Sequence, residues 1–218
     1  MYGTQTNLDY LQQLLDDPTL QQGQVSTRYL NSFHYQPQRI DVLSGGTQTT
    51  LQDFPGRQHH WNVGVPPSGP FDNYASRLAN RVLNSPTDAA VIEITLQGPV
   101  LQFSFDTCIA LCGAYAEVKL DDTSVPFNQV VAVKQGQVLS VGRIRQTGAR
   151  AYLAVAGGFD CPAYLGSRST FTLGNFGGHN GRALATGDVL STFGSAQAIE
   201  GTTAPASLVP ALSHEHEL

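Results

Sequence analysis

The stretch TTLQDFPGRQHHWNVGVPPSGPFD, residues 49–72, decides how this chain is read. It packs Asp53, Arg57, His59, His60, Ser68, Asp72 and the only tryptophan, Trp61, between short apolar pieces. Its prolines and glycines restrict the backbone, so these polar groups sit on rigid turns and not on a floppy loop. Residues 40–43 and 50–51 read as strand before it, and Asp72 caps a helix after it. A long polar loop anchored at both ends is where function concentrates. The competing reading is a structural loop whose charges only satisfy one another.

Working outward, residues 7–17 predict one amphipathic helix with Leu8, Leu11, Leu14 and Leu15 as its stripe, Thr6 or Asn7 as cap and Pro18 as its stop. A second short ordered piece follows at 25–33. Two such elements cannot enclose a core, so they must pack on something else, and a boundary is expected near 36–38. From residue 39 the pattern is short strands, at 40–44, 91–96, 100–105, 108–113, 116–121, 125–133, 137–143, 149–156 and 188–193. Their hairpin-sized spacing predicts a mainly β antiparallel barrel or sandwich. One clear helix interrupts it at 73–83, with Ala75, Leu78, Ala79 and Val82 on one face, and residues 85–88 predict another helical turn. Residues 195–210 are rich in Ala, Ser, Thr and Pro and read as a linker.

Composition narrows the function classes. The 218 residues carry a net charge of −5, and Lys119 and Lys134 are the only lysines. Phosphate-backbone binding needs clustered cations, so a nucleic-acid surface is not expected. No apolar run approaches the roughly 20 residues of a membrane span, and the first ten residues lack a signal-peptide layout. Cys108, Cys112 and Cys161 lack metal-ligand spacing and read as buried thiols in a reducing, cytoplasmic setting; no metal site is expected.

Several groups could carry chemistry. Arg57 is either an anion ligand oriented by Asp53 or half of a pair bracing its turn. Ser68 lies just before a helix N-terminus, where N–H groups and a hydroxyl could hold a carboxylate or carbonyl oxygen, or simply cap. His59 and His60 point apart on extended chain, so one exposed and one packed histidine is expected. A second cluster combines 157–160, 165–170 and 174–182, with Arg168, Gly177, Gly178, His179 and Arg182, and resembles an anion-binding nest. It has neither P-loop order nor a dinucleotide fingerprint. Arg57 and the 174–182 loop, at opposite ends of the sequence, are expected to converge on one rim. His214 and His216 are read as solvated.

The series TLQDFPGR, WNVGVPPSGPFD, RLANRVLN, ALCGA, AYLAVAGGFD, YLGSRSTF, FGGHNGR and GD resembles the allophanate hydrolase subunit 2 family, from about residue 40 to 193. That family includes the C subunit of 5-oxoprolinase and the carboxyltransferase domain of urea carboxylase. Residues 6–37 are similar to the end of the biotin carboxylase unit that precedes this domain in urea carboxylase. The resemblance implies a cyclophilin-like β-barrel and the half-reaction in which carboxybiotin passes its carboxylate to urea, giving allophanate.

It further implies biotin carried by another domain or chain, ATP used only by a biotin carboxylase part, and the remaining domains of a larger enzyme as partners. A urea-like amide is the expected substrate, and a homo-oligomer is possible. On this reading 1–37 is a biotin carboxylase remnant, 38–194 the first half of a carboxyltransferase domain, and 195–218 a linker and the start of a second half. The isolated chain is then expected to be inactive. Asp53, Asp72 and His179 become candidates for taking a proton from urea, and Arg57, Arg168 and Arg182 for stabilising an oxyanion. Ser68, Asn80, Gly177 and Gly178 become candidates for holding substrate. Two other activities fit the same family: an amide-handling 5-oxoprolinase component, and a regulatory protein-binding module resembling an antagonist of a kinase inhibitor.

Overall fold

The computed structural model describes residues 7–35, 38–145, 147–194 and 198–213. The Thr6 cap, the boundary at 36–37, and His214 and His216 lie outside the described residues. Helices α1 (Leu8–Asp16), α2 (Pro18–Gln21) and α3 (Tyr29–Ser32) lead to strands β1 (Arg39–Ser44) and β2 (Gln48–Gln52). After the 53–72 loop comes α4 (Asn73–Val82), then β3 (Val91–Thr95), β4 (Val100–Phe103), β5 (Thr107–Gly113) and β6 (Ala116–Leu120). The remainder is β7 (Thr123–Ser124), β8 (Val130–Val133), β9 (Val138–Ile144), β10 (Arg150–Val155), β11 (Phe159–Asp160) and β12 (Val189–Thr192).

The fold is mainly β and antiparallel, as the spacing predicts. The strands form a seven-stranded sheet, β11-β12-β1-β4-β9-β6-β7, and a five-stranded sheet, β2-β3-β10-β5-β8. They do not close into one hydrogen-bonded barrel, and the arrangement is compatible with a cyclophilin-like fold. Between the sheets lies a core of alternating residues, including Ile40, Ile92, Phe103, Ile109, Leu111, Leu139 and Leu153. The outer face of the five-stranded sheet is covered by α4, whose Ala75, Leu78, Ala79 and Val82 meet Ala110, Cys112, Tyr152 and Ala154. Strands β5 and β10 are therefore buried on both faces. This accounts for the unbroken apolar runs CIALC and YLAVA in an antiparallel sheet, where alternation is the rule. Cys108, Cys112 and Cys161 are free thiols, and burial pushes Cys112 and Cys161 up to about 12.

Three local expectations change. Residues 85–88 form a turn and not a helical turn. Of the expected strand 125–133 only Val130–Val133 forms, as β8, and Asn128 just before it takes a left-handed φ of 59°. Residues 198–213 lie against the sheet: Val130 N–H donates to Thr202 O, Gly201 N–H to Val130 O, and Ala204 N–H to Asn128 O. Tyr74 Oη reaches Leu208 O at 2.8 Å, so this segment also crosses onto α4. Helix α1 leaves Leu8, Leu11 and Leu15 exposed. No described helix is long and apolar enough to cross a membrane.

Candidate functional site

The 53–72 loop leaves the end of β2 and returns to α4 through a pinch. Arg57 N–H donates to Pro67 O at 2.5 Å. Gly56 lies in the pinch at φ 81°, and a Cβ there would sit 2.7 Å from Pro67 O, so the close approach requires glycine. Beyond it, a 3-10 turn at Trp61–Val63 carries Trp61 and Val63 into solvent. On the return limb Ser68 holds φ at 56°, a left-handed conformation that costs a serine about 1 kcal/mol or more.

Asp53 is the centre of a buried knot. Ser167 Oγ donates to Asp53 Oδ1 at 2.5 Å, Ser169 Oγ to the same oxygen at 2.6 Å, and Arg168 N–H to Oδ2 at 2.8 Å. Thr170 N–H and Oγ1 both reach Leu51 O at 2.9 Å, which stitches 167–170 onto the end of β2. Arg57 enters the same knot with 1% of its surface exposed. Its Nε donates to Tyr164 O at 3.0 Å, its Nη2 to Ser169 O at 2.9 Å, and its guanidinium lies 4.8 Å from the Phe176 ring centroid. Burial pulls its pKa down, opposed by Asp53 and Tyr164, and an arginine stays protonated at neutral pH regardless. Neither reading offered for Arg57 holds in its simple form. It is not an exposed anion ligand, and it braces the turn through carbonyls instead of through Asp53.

Arg57 and the 174–182 loop do converge. A Cβ on Gly177 would lie 2.7 Å from Arg57 Nη2, and one on Gly178 would lie 1.9 Å from Thr170 Oγ1. Further along that loop His179, only 4% exposed, places Nε2 3.3 Å from Asp188 Oδ1. Arg182 grips Asp188 through two bonds of 2.7 Å. Burial lowers the His179 pKa against the pull of Asp188. Burial raises that of Asp188, but Arg182, Ala185 N–H and His179 outweigh it and hold the carboxyl at about 2.

The return limb is joined to the knot by Gln52. Its Oε1 accepts from Gly69 N–H at 3.1 Å, and its Nε2 donates to Thr50 Oγ1 and Thr170 O. Asp72 Oδ1 caps α4 by accepting from Tyr74 N–H and Ala75 N–H. Asn80, on the buried face of α4, donates to Ala89 O and belongs to the helix packing and not to the rim. Asp53, Arg57, Arg168, Gly177 and Gly178 thus form one cluster, with Ser68 and Asp72 on the turn beside it and His179 and Arg182 beyond it on Asp188.

A shallow cleft of about 370 Å³ opens outside the pinch, between Gly56, His59, His60, Leu165 and Gly166. His59 is exposed and His60 half-buried. A second hollow of about 310 Å³ is lined by Gln13 and Asp16 of α1 and by Phe33 and His34 just after α3, and it carries no candidate site residue. Among the described residues no group of three or more His, Cys, Asp or Glu converges as a metal site. Sequence reasoning missed Gln52, Ser167, Ser169 and Asp188 as partners, and Glu93 and Tyr152 entirely. Glu93 alone left a signal, as an acid inside the apolar run VIEIT.

The model of the carboxyltransferase domain, subdomains A and B, matches residues 63–217. The chain belongs to this family. Among curated carboxyltransferase relatives, the urea amidolyase of Lachancea kluyveri is 44% identical over 225 residues, which takes in 100% of this chain and 12% of that protein. The C subunit of 5-oxoprolinase from Escherichia coli is 39% identical over 151 residues, covering 69% of this chain and 48% of that protein. The crystal structure of the Kluyveromyces lactis urea carboxylase superposes with a TM-score of 0.86 at 45% identity, over 97% of this chain and 19% of that one. This carboxyltransferase-family chain therefore spans a small part of its urea amidolyase and urea carboxylase relatives and about half the length of the 5-oxoprolinase relative.

Proposed function

We propose that this chain forms one half of the carboxyltransferase site of a biotin-dependent urea carboxylase, where the carboxylate of carboxybiotin is transferred to urea to give allophanate. The observation that carries this over the 5-oxoprolinase reading is coverage. Urea amidolyase and urea carboxylase match through α1–α3 as well as the sheets, whereas the 5-oxoprolinase relative matches 69% of the chain.

Biotin, carried on another domain or chain, supplies the activated carboxyl group. The residues present fit such a group at Arg168, whose Nε is a donor with no protein acceptor, and a ureido oxygen is an acceptor. Arg168 would hold it, its guanidinium steadied 5.1 Å from the Phe193 ring centroid. Arg182 is committed to Asp188, and the Asp53 oxygens are filled by three donors. His179 is neutral at physiological pH and lies against Asp188. These three groups orient the loops. Asp72, half-buried at the rim, is the group we assign to accept the proton lost from the attacking urea nitrogen, with Ser68 beside it to hold the amide.

The test is an exchange of segments. Replacing the corresponding segment of the Lachancea kluyveri urea amidolyase by this chain should preserve ATP- and bicarbonate-dependent carboxylation of urea. The isolated chain should show none. A chimera that folds and carries biotin but leaves urea untouched would overturn the reading.

A further inference from the structure

Three neighbouring strands each present a polar atom to one turn. Gln52 of β2 accepts from Gly69 N–H at 3.1 Å, Glu93 Oε2 of β3 accepts from Phe71 N–H at 2.7 Å, and Tyr152 Oη of β10 accepts from Asp72 N–H at 2.7 Å. Glu93 and Tyr152 are direct register partners, and the Tyr152 hydroxyl donates to Glu93 Oε2 at 2.8 Å. The tyrosine is wholly buried, and the Glu93 side chain is 12% exposed. Placing a carboxylate and a phenol on a covered sheet face is costly unless both are bonded. Here both are, and their joint product is a fixed backbone at 69–72.

These bonds are not needed to start α4, since Asp72 already caps it with its own carboxylate. They act one step earlier, on residues outside the helix. The consequence is an aromatic ring held out in water. Phe71 is 78% exposed, and the Arg150 guanidinium, 3.6 Å from Glu93 Oε1, lies 5.2 Å from its centroid.

We propose that Glu93 and Tyr152 are positioning residues that fix 69–72, and with it the Asp72 carboxylate and the Phe71 ring, for carboxyl transfer. This rests on the reading of Asp72 given above. A displacement of about 1 Å in a reacting group costs on the order of 100-fold in rate, so a tether made of short bonds from two rigid strands is an effective way to prevent it.

The experiment has two arms. In the chain itself, Tyr152→Phe keeps the ring but leaves Asp72 N–H without its acceptor. Amide hydrogen exchange should accelerate at Phe71 and Asp72 while β5 stays protected. In the urea amidolyase chimera the same substitution should lower kcat by about 10- to 100-fold with KM for urea within about twofold. Glu93→Gln, which retains an acceptor oxygen, should recover part of the loss seen in Glu93→Ala. If Tyr152→Phe does not fold, Glu93→Ala supplies both readouts, with Glu93→Gln as its rescue. Unchanged exchange at 71–72 would remove the positioning role, and so would a kcat equal to that of the unsubstituted chimera or a Gln variant as poor as Ala. An inactive unsubstituted chimera would remove the carboxyl-transfer reading itself, while exchange in the chain still decides whether these two residues hold the turn.

Discussion

At the residue scale, Arg57 shows how burial converts a surface reading into a structural one. Its fork spans two carbonyls, Tyr164 O and Ser169 O, and its plane stacks on Phe176. A lysine can reach one carbonyl but cannot span both or stack flat. Arg57→Lys is therefore expected to destabilise the fold by about 2 kcal/mol, or roughly 5 °C in Tm, measurable by thermal unfolding. An unchanged Tm would count against the brace. Asp188 and His179 make the same loop acid-sensitive. His179 has a folded pKa below its ordinary 6.5, so the unfolded chain binds more protons and stability begins to fall as pH drops below that value. Asp188 is lowered from 3.8 to about 2, so about 2 kcal/mol present above its ordinary value is lost as pH falls through that window. Guanidinium unfolding across this range should show Asp188→Asn starting less stable at neutral pH. Its deficit should narrow as pH falls from about 4 towards 2. A constant deficit would exclude the linkage.

At the element scale, helix α4 joins fold and chemistry through one residue. Asp72 caps it with two backbone bonds and is also the proposed proton acceptor. Asparagine is as good an N-cap as aspartate but carries no charge. Asp72→Asn should keep α4 and leave Tm within a few degrees. In the chimera it should lower kcat by about 100-fold or more, the usual scale for a lost general base. Equal activity in both forms would return Asp72 to a purely structural part. The covered face of α4 was legible in the spacing of Ala75, Leu78, Ala79 and Val82. Its partner was not, because the runs in β5 and β10 look alike whether a second layer is a helix or a sheet.

At the scale of the whole molecule, the surface retains large apolar side chains. Leu173 is 88% exposed, Phe71 78%, Trp61 72% and Val63 69%. Exposed apolar area of this kind marks contact surfaces. The chain is expected to self-associate at micromolar concentrations, with sedimentation showing species heavier than a monomer. A clean monomer without binding of an apolar-surface dye would refute this. The described part of 195–218 also belongs to this scale, since residues 198–213 add hydrogen bonds at β8 and a contact on α4. Its Ala/Ser/Thr/Pro composition reads as a linker because these bonds are made by the backbone, which composition does not report.

By itself the sequence determined the β-rich antiparallel class, the amphipathic faces of α1 and α4, the Asp72 cap and the membership of Arg57, Arg168, Gly177 and Gly178 in functional-looking loops. These follow from periodicity, turn chemistry and motif order, all of which are local. Only the tertiary structure decided that Arg57 is buried, that Asp53 bonds to Ser167 and Ser169 instead of Arg57, and that Asp188 anchors His179 and Arg182. Those pairings join residues more than 100 positions apart, or depend on which face of a loop turns inward. Glu93 and Tyr152 make the point most directly. Each is one polar atom in an apolar strand, and nothing but strand register sets them side by side beneath the turn at 69–72.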